Sequence, residues 1–189
     1  SGRGEIFVAN FLSNNVSVIS DTSNTVVATV TVGTGPTGIA YDSAKGEVFV
    51  SNENSGTVSV ISDTSNTVVA TVTVGSSPGG VAYDSAKGEI FVANEGSGTV
   101  SVISDTGNTV VATVTVGSGP GGVAYDSGKG EIFVPNSSSG TVSVLSDATP
   151  PVSLPEFPLG SVAFLLVTSA AAYAVIRYRV IRPANHRIN

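Results

Sequence analysis

A 42-residue repeat dominates this sequence. The same phrase, GE followed by Ile or Val and then FV, begins at Gly4, Gly46, Gly88 and Gly130. Residues 46–87 and 88–129 are identical at 36 of 42 positions, and the six differences exchange small or closely similar side chains. Near-identical units at a fixed period of this length indicate modules that stack on copies of themselves.

Each unit contains four short runs rich in Val, Ile, Thr, Phe and Tyr, separated by turn-forming residues, which is typical of β-strands. In one unit these runs, named A to D, cover residues 80–84, 89–93, 99–104 and 109–116. Run B is apolar on both faces, which predicts a strand packed between neighbouring units, whereas run D alternates, which predicts an outer strand. Four strands in about 40–45 residues is the spacing of a β-propeller blade. The fold class is therefore expected to be all-β.

The turns between these runs also have local causes. In the SDTSNT turn between C and D, Asp63 and Asn66 are expected to bond to nearby amides and to tolerate left-handed backbone. The D to A links carry Pro78 and Pro120 followed by paired glycines, which suits a sharp passage to the next inner strand.

The stretch FVSNENSGTVSVISDTSNTVVATVTVGSSPGGVAYD at residues 49–84 resembles the YVTN-type β-propeller repeat. Phe49, Phe91 and Phe133 stand where that family has Tyr. The resemblance covers residues 1–147 and implies a propeller like those of archaeal surface-layer and other secreted proteins, without fixing a ligand. The chain begins at a B strand and its repeats end after a C strand, giving about 3.5 blades and 14 strands. We therefore expect the native protein to carry an upstream D strand and further blades.

Composition excludes several functions. The chain has no Cys and one His, so we predict no metal site, no cofactor and no disulfide. Residues 1–148 carry four basic and thirteen acidic side chains, a net charge of −9, which argues against nucleic-acid binding.

The tail has a different composition. Residues 148–158 include four prolines in eleven positions and are predicted to form an extended stalk. Residues 159–176 are 18 uncharged, mostly apolar residues, and a helix of that length spans about 27 Å, close to a bilayer core. Arg177, Arg179 and Arg182 follow, so the positive-inside rule predicts a transmembrane helix, a cytoplasmic tail at residues 177–189 and an extracellular propeller. A C-terminal helix packed on the propeller is the alternative.

The Pro155, Glu156, Phe157 and Pro158 motif before the apolar run resembles archaeal C-terminal sorting signals. That resemblance implies that the helix is either cleaved during sorting or retained as a single-pass anchor. Both cases predict a cell-surface protein whose partners are the membrane and surface proteins or glycans.

Two sets of side chains are candidates for binding. The B to C loops vary most between repeats, and they share a face with the D to A links in propellers, so Asn52, Glu53, Asn94 and Glu95 are candidates for binding, with the two glutamates as the groups that could contact a cation or a sugar. A solvated polar turn is the alternative. Strand A offers residues that are candidates to ring one end of the channel, although the aspartates also suit closure of the A to B turn. This second set is Tyr41, Asp42, Tyr83, Asp84, Tyr125 and Asp126.

The expected function is that of a non-catalytic, structural or adhesive surface module. Catalysis needs different groups converging on one point, whereas these repeats distribute the same groups around a ring. The alternative is an extracytoplasmic hydrolase or lyase, similar to propeller lactonases, whose active site lies in missing N-terminal blades.

Overall fold

The structure, a computed structural model, describes residues 2–146 and the backbone of a short strand at residues 178–181. Within these residues the chain is all-β apart from one 3-10 turn at Phe11–Ser13, and its strands form four antiparallel sheets. The first sheet holds β1 (Glu5–Asn10), β2 (Asn15–Ser20) and β3 (Val26–Thr31); the second holds β4 (Pro36–Asp42), β5 (Glu47–Asn52), β6 (Thr57–Ser62) and β7 (Thr67–Thr73). The third holds β8 (Pro78–Asp84), β9 (Glu89–Asn94), β10 (Thr99–Ser104) and β11 (Thr109–Thr115); the fourth holds β12 (Ala124–Asp126), β13 (Glu131–Asn136), β14 (Thr141–Ser146) and β15 (Tyr178–Ile181).

This arrangement confirms the all-β class and the division of each repeat into strands A to D. Strands pair in sequence order within each sheet. Successive sheets meet mainly along their inner strands, because β4 lies against β8 and β8 lies against β12. Strand A is thus the inner strand, and D is the outer strand.

Apolar side chains of neighbouring sheets pack together in each of the three gaps between sheets. Between the second and third sheets, Phe49 and Val60 meet Ile90 and Val92, and all four are fully buried. The first gap is filled by Val16, Val18, Val30, Val48, Val50 and Ile61, and the third by Phe91, Val100, Val102, Ile132, Val134 and Leu145. Because side chains alternate along a strand, a sheet enclosed by two neighbours needs apolar residues on both faces.

An asparagine at the end of each B strand, buried in the second, third and fourth sheets, ties that strand to strand C. Asn94 Nδ2 donates to Thr99 Oγ1 at 3.1 Å and to Ser101 Oγ at 3.0 Å. The equivalent donors in the other sheets are Asn10, Asn52 and Asn136. A Cβ at Gly75 would lie 2.7 Å from Asn94 Cγ, so only glycine lets the preceding D to A link cross over this amide.

Polar contacts join successive sheets at the opposite end. Lys45 Nζ donates to the backbone carbonyl of Asp105 and lies 3.7 Å from its Oδ1. Asn108 Nδ2 donates to Glu47 Oε2 at 3.4 Å. Similar contacts join the first sheet to the second. Arg3 Nη1 donates to the backbone carbonyl of Thr64 at 2.7 Å, and Asn66 Nδ2 donates to Glu5 Oε1 at 3.3 Å. The left-handed backbone predicted for the C to D turn is confirmed at Asn66, whose φ is 52°. The side chain of the same residue also contacts the preceding sheet, through Glu5.

The fourth sheet has a short inner strand. β12 has three residues where β8 has seven, and Pro135 stands in β13 where the other repeats have Ala or Ser. Pro135 O accepts a hydrogen bond from Gly121 N at 3.4 Å, so the carbonyl of Pro135 points toward the inner strand. The N–H of a residue at this position would point the same way, and proline has none to donate to the inner strand. The lost donor accounts for the shortened ladder.

The outer strand of the fourth sheet comes from the C-terminal region. β15 pairs antiparallel with β14, with Ile181 opposite Val142 and Tyr178 opposite Leu145. This pairing differs from the expected end of the array after strand C, and it places the backbone of Arg179 in a sheet instead of in a basic tail. The physical reason is that β14 would otherwise present an unpaired edge.

No helix among the described residues is long and apolar enough to cross a membrane. The predicted membrane span at 159–176, the stalk at 148–158 and the motif at 155–158 lie outside the described residues, as do Arg177 and Arg182.

Replacing Phe49 with Ala is expected to destabilise the protein by about 3–5 kcal/mol, because a fully buried ring is removed from between two sheets. Phe133 occupies the same repeat position but is only partly buried, so Phe133→Ala should cost clearly less. Urea unfolding of the full chain in detergent, followed by circular dichroism, measures both losses. Equal losses would contradict the account of the gaps between sheets.

Candidate functional site

The B to C loops and the D to A links lie together at one end of the sheets, which we name the loop face. The loop that follows strand B is hydrogen bonded to the link that precedes strand A of the same sheet. Glu53 N donates to Gly35 O at 2.8 Å, and Glu95 N donates to Ser77 O at 2.9 Å. The structure therefore places both segments on one face, as the propeller geometry predicted.

A depression of about 360 Å³ opens on the loop face where the second and third sheets meet. The second sheet contributes Glu53 and the third contributes Glu95, so two of the predicted binding residues line one space. The rest of the lining is Thr37, Gly38, Ser77, Gly79, Gly80 and Gly121. The depression thus combines two carboxylates with a floor that is largely backbone.

The glycine floor has a packing cause. Inner strands of successive sheets approach so closely that a Cβ on Gly38 would lie 2.3 Å from Gly79 O. Gly80 N donates to Gly121 O at 3.0 Å, a main-chain hydrogen bond between the third and fourth sheets. Side chains are excluded at these positions, and a ligand can therefore reach the backbone directly.

Ser51 clamps the second sheet to the third beneath this floor. Its Oγ donates to Gly79 O at 2.5 Å and accepts from Gly38 N at 2.9 Å, and the residue is fully buried. Ala9, Ala93 and Pro135 hold the equivalent positions, so among the four units only the second can make this contact. In the sequence, Ser51 is one of several small differences between repeats, and its role in joining two sheets was not predicted. The signal that could have indicated this role is a hydroxyl in an otherwise apolar B strand.

The predicted pairs Asn52–Glu53 and Asn94–Glu95 divide between two roles. Both asparagines are fully buried and bond to strand C, so they shape the loop and do not face the depression. Glu53 is half-buried and Glu95 is exposed. The carboxylates are thus the groups of this set that a ligand can meet.

The aspartates of strand A close the turns into strand B. Asp42 Oδ1 accepts from Ala44 N at 2.8 Å and from Lys45 N at 3.2 Å. Asp84 and Asp126 make the same turn contact with Ala86 N and Gly128 N. This is the turn closure that the sequence analysis gave as the alternative to a channel site.

The tyrosines of strand A lie in the gaps between sheets. Tyr41, Tyr83 and Tyr125 each pack against a different core cluster. Tyr41 Oη accepts from Gly2 N at 2.9 Å and donates to Asp63 Oδ2 at 2.9 Å. These contacts are structural, and a role in ligand binding for the tyrosines and aspartates of strand A stays a prediction.

Two of these hydroxyls titrate above the usual range. The Gly2 N–H lowers the pKa of Tyr41, but burial and the Asp63 carboxylate outweigh that contact and raise it overall. Burial, followed by the carboxylates of Asp42 and Asp105, raises the pKa of Tyr83 to about 12. Both hydroxyls therefore stay protonated at neutral pH. Within the residues that the structure describes, no group of three or more acidic or histidine side chains is placed to hold a metal ion.

Solved structures similar to this chain share its fold at low identity. They include hydrazine synthase from Kuenenia stuttgartiensis, at 21% identity and a TM-score of 0.69, with 75% of this chain and 42% of that chain covered. A protein of unknown function from Desulfotomaculum acetoxidans matches at 19% identity and a TM-score of 0.60, with coverage of 70% and 44%. Dihydro-heme d1 dehydrogenase NirN matches at 14% identity and a TM-score of 0.67, with coverage of 78% and 33%.

This chain spans less than half the length of each of these proteins. No protein-family model matches the sequence, and a search of curated proteins finds no relative. At these identities the likeness shows the fold alone. The sheets are therefore consecutive blades of a β-propeller, and the first blade is described with three strands.

Replacing Gly38 with Ala is expected to disturb the junction between the second and third blades, because the new Cβ would lie 2.3 Å from Gly79 O. A loss of about 1–3 kcal/mol in unfolding free energy is the scale for such overpacking. Gly121→Ala is the matched control, because a Cβ there meets nothing within 4 Å. Urea unfolding distinguishes the two, and a Gly38→Ala variant as stable as Gly121→Ala would refute the close approach.

Proposed function

We propose that this chain is a non-catalytic binding module of the cell surface, which recognises a glycan through the loop face. The observation that carries the proposal is the depression that Glu53 and Glu95, from successive blades, line together with four glycines. Loops held by a rigid scaffold are where propeller-like folds place recognition groups.

The lining suits a ligand with repeated chemistry. Its two charged groups are the same residue at the same repeat position, one blade apart. Such a pair offers two similar hydrogen-bond acceptors to successive units of one ligand.

The chemistry of the lining selects the ligand class. Carboxylates accept hydrogen bonds from hydroxyl groups, and bare backbone offers further donors and acceptors at close range. The repeat region is strongly acidic, so anionic ligands are repelled. A neutral, hydroxyl-rich oligosaccharide satisfies these conditions.

Binding is tested with fluorescently labelled full-length chain on an array of neutral oligosaccharides. A hydrogen bond to a charged group contributes about 1.5–3 kcal/mol, so Glu53→Gln with Glu95→Gln should weaken binding by roughly tenfold or more. The control is Asp21→Asn with Glu131→Gln, which removes the same charge at the opposite end of the sheets. Absence of binding by the wild type, or equal losses in both double variants, would rule out the glycan site.

We also propose that the apolar run at residues 159–176 attaches the module to a membrane, with the propeller outside and the basic end in the cytoplasm. The 18 uncharged residues and the arginines that follow them support this part of the proposal. The β15 pairing sets a condition on it. Because Tyr178–Ile181 lies in the fourth sheet, a cytoplasmic tail requires this strand to leave β14 on insertion.

Membrane attachment predicts that the full chain, exported to the cell envelope, stays with the membrane fraction after alkaline carbonate extraction. Leu165→Asp with Leu166→Asp should release it, because each central Asp costs about 2.5–3.5 kcal/mol in a membrane helix. Asp substitutions at the exposed outer-strand positions Val27 and Val69 serve as the control and should not release it. A wild-type chain that is fully extracted would contradict attachment.

A further inference from the structure

The first B to C loop carries two exposed apolar side chains where the other loops are polar. Phe11 is 41% and Leu12 is 91% exposed. The equivalent positions hold Glu and Asn in the second loop, Glu and Gly in the third, and two serines in the fourth. Loops that a rigid scaffold positions are where proteins often place their binding residues. We name Phe11 and Leu12 the apolar platform.

The loop that carries the platform is tied to the link into the second blade. Asn14 ends this loop in left-handed backbone, with a φ of 55°, where the other three loops have Gly. The asparagine makes a contact that glycine does not offer, because its Oδ1 accepts from Gly35 N at 2.9 Å. A Cβ on Gly35 would lie 3.1 Å from the Phe11 ring. The ring therefore lies beside the same glycine that anchors the loop.

Gly35 also connects the platform to the binding depression. Its carbonyl oxygen accepts a hydrogen bond from Glu53 N at 2.8 Å, and Glu53 lines the depression together with Glu95. Phe11, Glu53 and Glu95 hold the same repeat position in three successive blades. They form one row across the loop face, in which the apolar platform is followed by two carboxylates.

This repeat position stays accessible when a blade lies on each side of it. Glu53 and Glu95 both belong to blades with two neighbours, and they are half-buried and exposed, respectively. Phe11 lies on the side of the second blade, beside Gly35. Its accessibility therefore does not depend on what precedes Ser1.

From this row we propose that the glycan is a linear chain of neutral hexopyranose units, one of which packs its C–H face on the Phe11 ring while further units donate hydroxyl hydrogens to Glu53 and Glu95. This ligand assignment rests on the proposed glycan site and adds a stacking contact to it.

The chemistry of the sugar matches the row. A pyranose with equatorial hydroxyls carries polar groups around its edge and C–H groups on its two faces. An aromatic ring covers an apolar face, whereas carboxylates accept hydrogen bonds from the edge. Chains of β-1,4-linked glucose have this form in every unit, so they are the probe of choice.

The test is calorimetric titration of the full chain with β-1,4-linked glucose oligosaccharides of one to five units, in a detergent without a sugar headgroup. Affinity should rise with length until the ligand reaches from the carboxylates to the platform. Phe11→Ala should weaken binding of the longer chains by roughly tenfold, because the variant removes apolar surface that the ligand covers. Glu53→Gln with Glu95→Gln should weaken binding at every length. Val111→Ala, at a 52% exposed outer-strand position, is the control and should bind like the wild type.

Fluorescence separates a stacking contact from a structural role of Phe11. The chain has no Trp, so Phe11→Trp creates a single indole reporter. The longer oligosaccharides should bind this variant at least as tightly as the wild type and should shift its emission, because a sugar face replaces water on the indole. Val111→Trp should show no shift.

The possible negative results differ in meaning. Equal affinity of the wild type and Phe11→Ala for the longer chains, or an unchanged emission of Phe11→Trp, would refute the stacking contact and leave a glycan site at Glu53 and Glu95. Binding of other neutral oligosaccharides but not of these glucose chains would overturn the ligand class alone. A wild type that binds no oligosaccharide would contradict the proposed function and the stacking contact together.

Discussion

The apolar contact between successive sheets is the constraint on which the rest of the structure depends. A lone four-stranded sheet of this composition would leave Phe49 and Val60 on one side, and Val48 and Ile61 on the other, in water. Each blade is stable because two neighbours cover it, so the stability of the array is built from blade-to-blade terms, as in other repeat proteins. Because each blade packs against a near-copy of itself, apolar residues must recur at the same positions in every unit, and the repeat length stays at 42 residues.

Polar contacts then fix how the blades sit against each other. At the loop face, the glycine of each D to A link lies on the buried asparagine of the next blade. At the other end, Lys45 and Glu47 reach the C to D turn of the third blade. Apolar faces alone tolerate sliding, whereas these directional contacts at both ends specify a single register. The proposed binding depression follows from the same packing, since the close approach that demands glycine also bares the backbone.

Much of this architecture could be predicted from the sequence, because periodicity and alternation report directly on burial. The two-sided apolar B strand, the alternating D strand and the shared loop face follow from pattern alone. The contacts between blades could not be predicted, since Asn108 and Glu47 lie 61 residues apart and their meeting depends on the angle between sheets. For the same reason Asn52 and Asn94 were expected beside a ligand, although the fold turns their amides inward.

The strand A candidates show a related difficulty. Tyr and Asp are common both in binding sites and in structural roles, and a single sequence does not say which neighbour each side chain will meet. Asp42 closes a turn and Tyr41 bonds to Asp63 of the same blade's C to D turn. At these positions the residue type alone does not distinguish packing from recognition.

The contacts that link each blade to the next have a further consequence for how such a chain changes length. Every tie, from Lys45 to Asp105 or from Gly75 to Asn94, joins a repeat position to a fixed position in the following unit. Duplication or excision of one whole period leaves each remaining side chain facing a chemically equivalent partner. Whole blades can therefore be added or removed without breaking these ties, whereas a one-residue insertion within a strand turns its side chains to the wrong face.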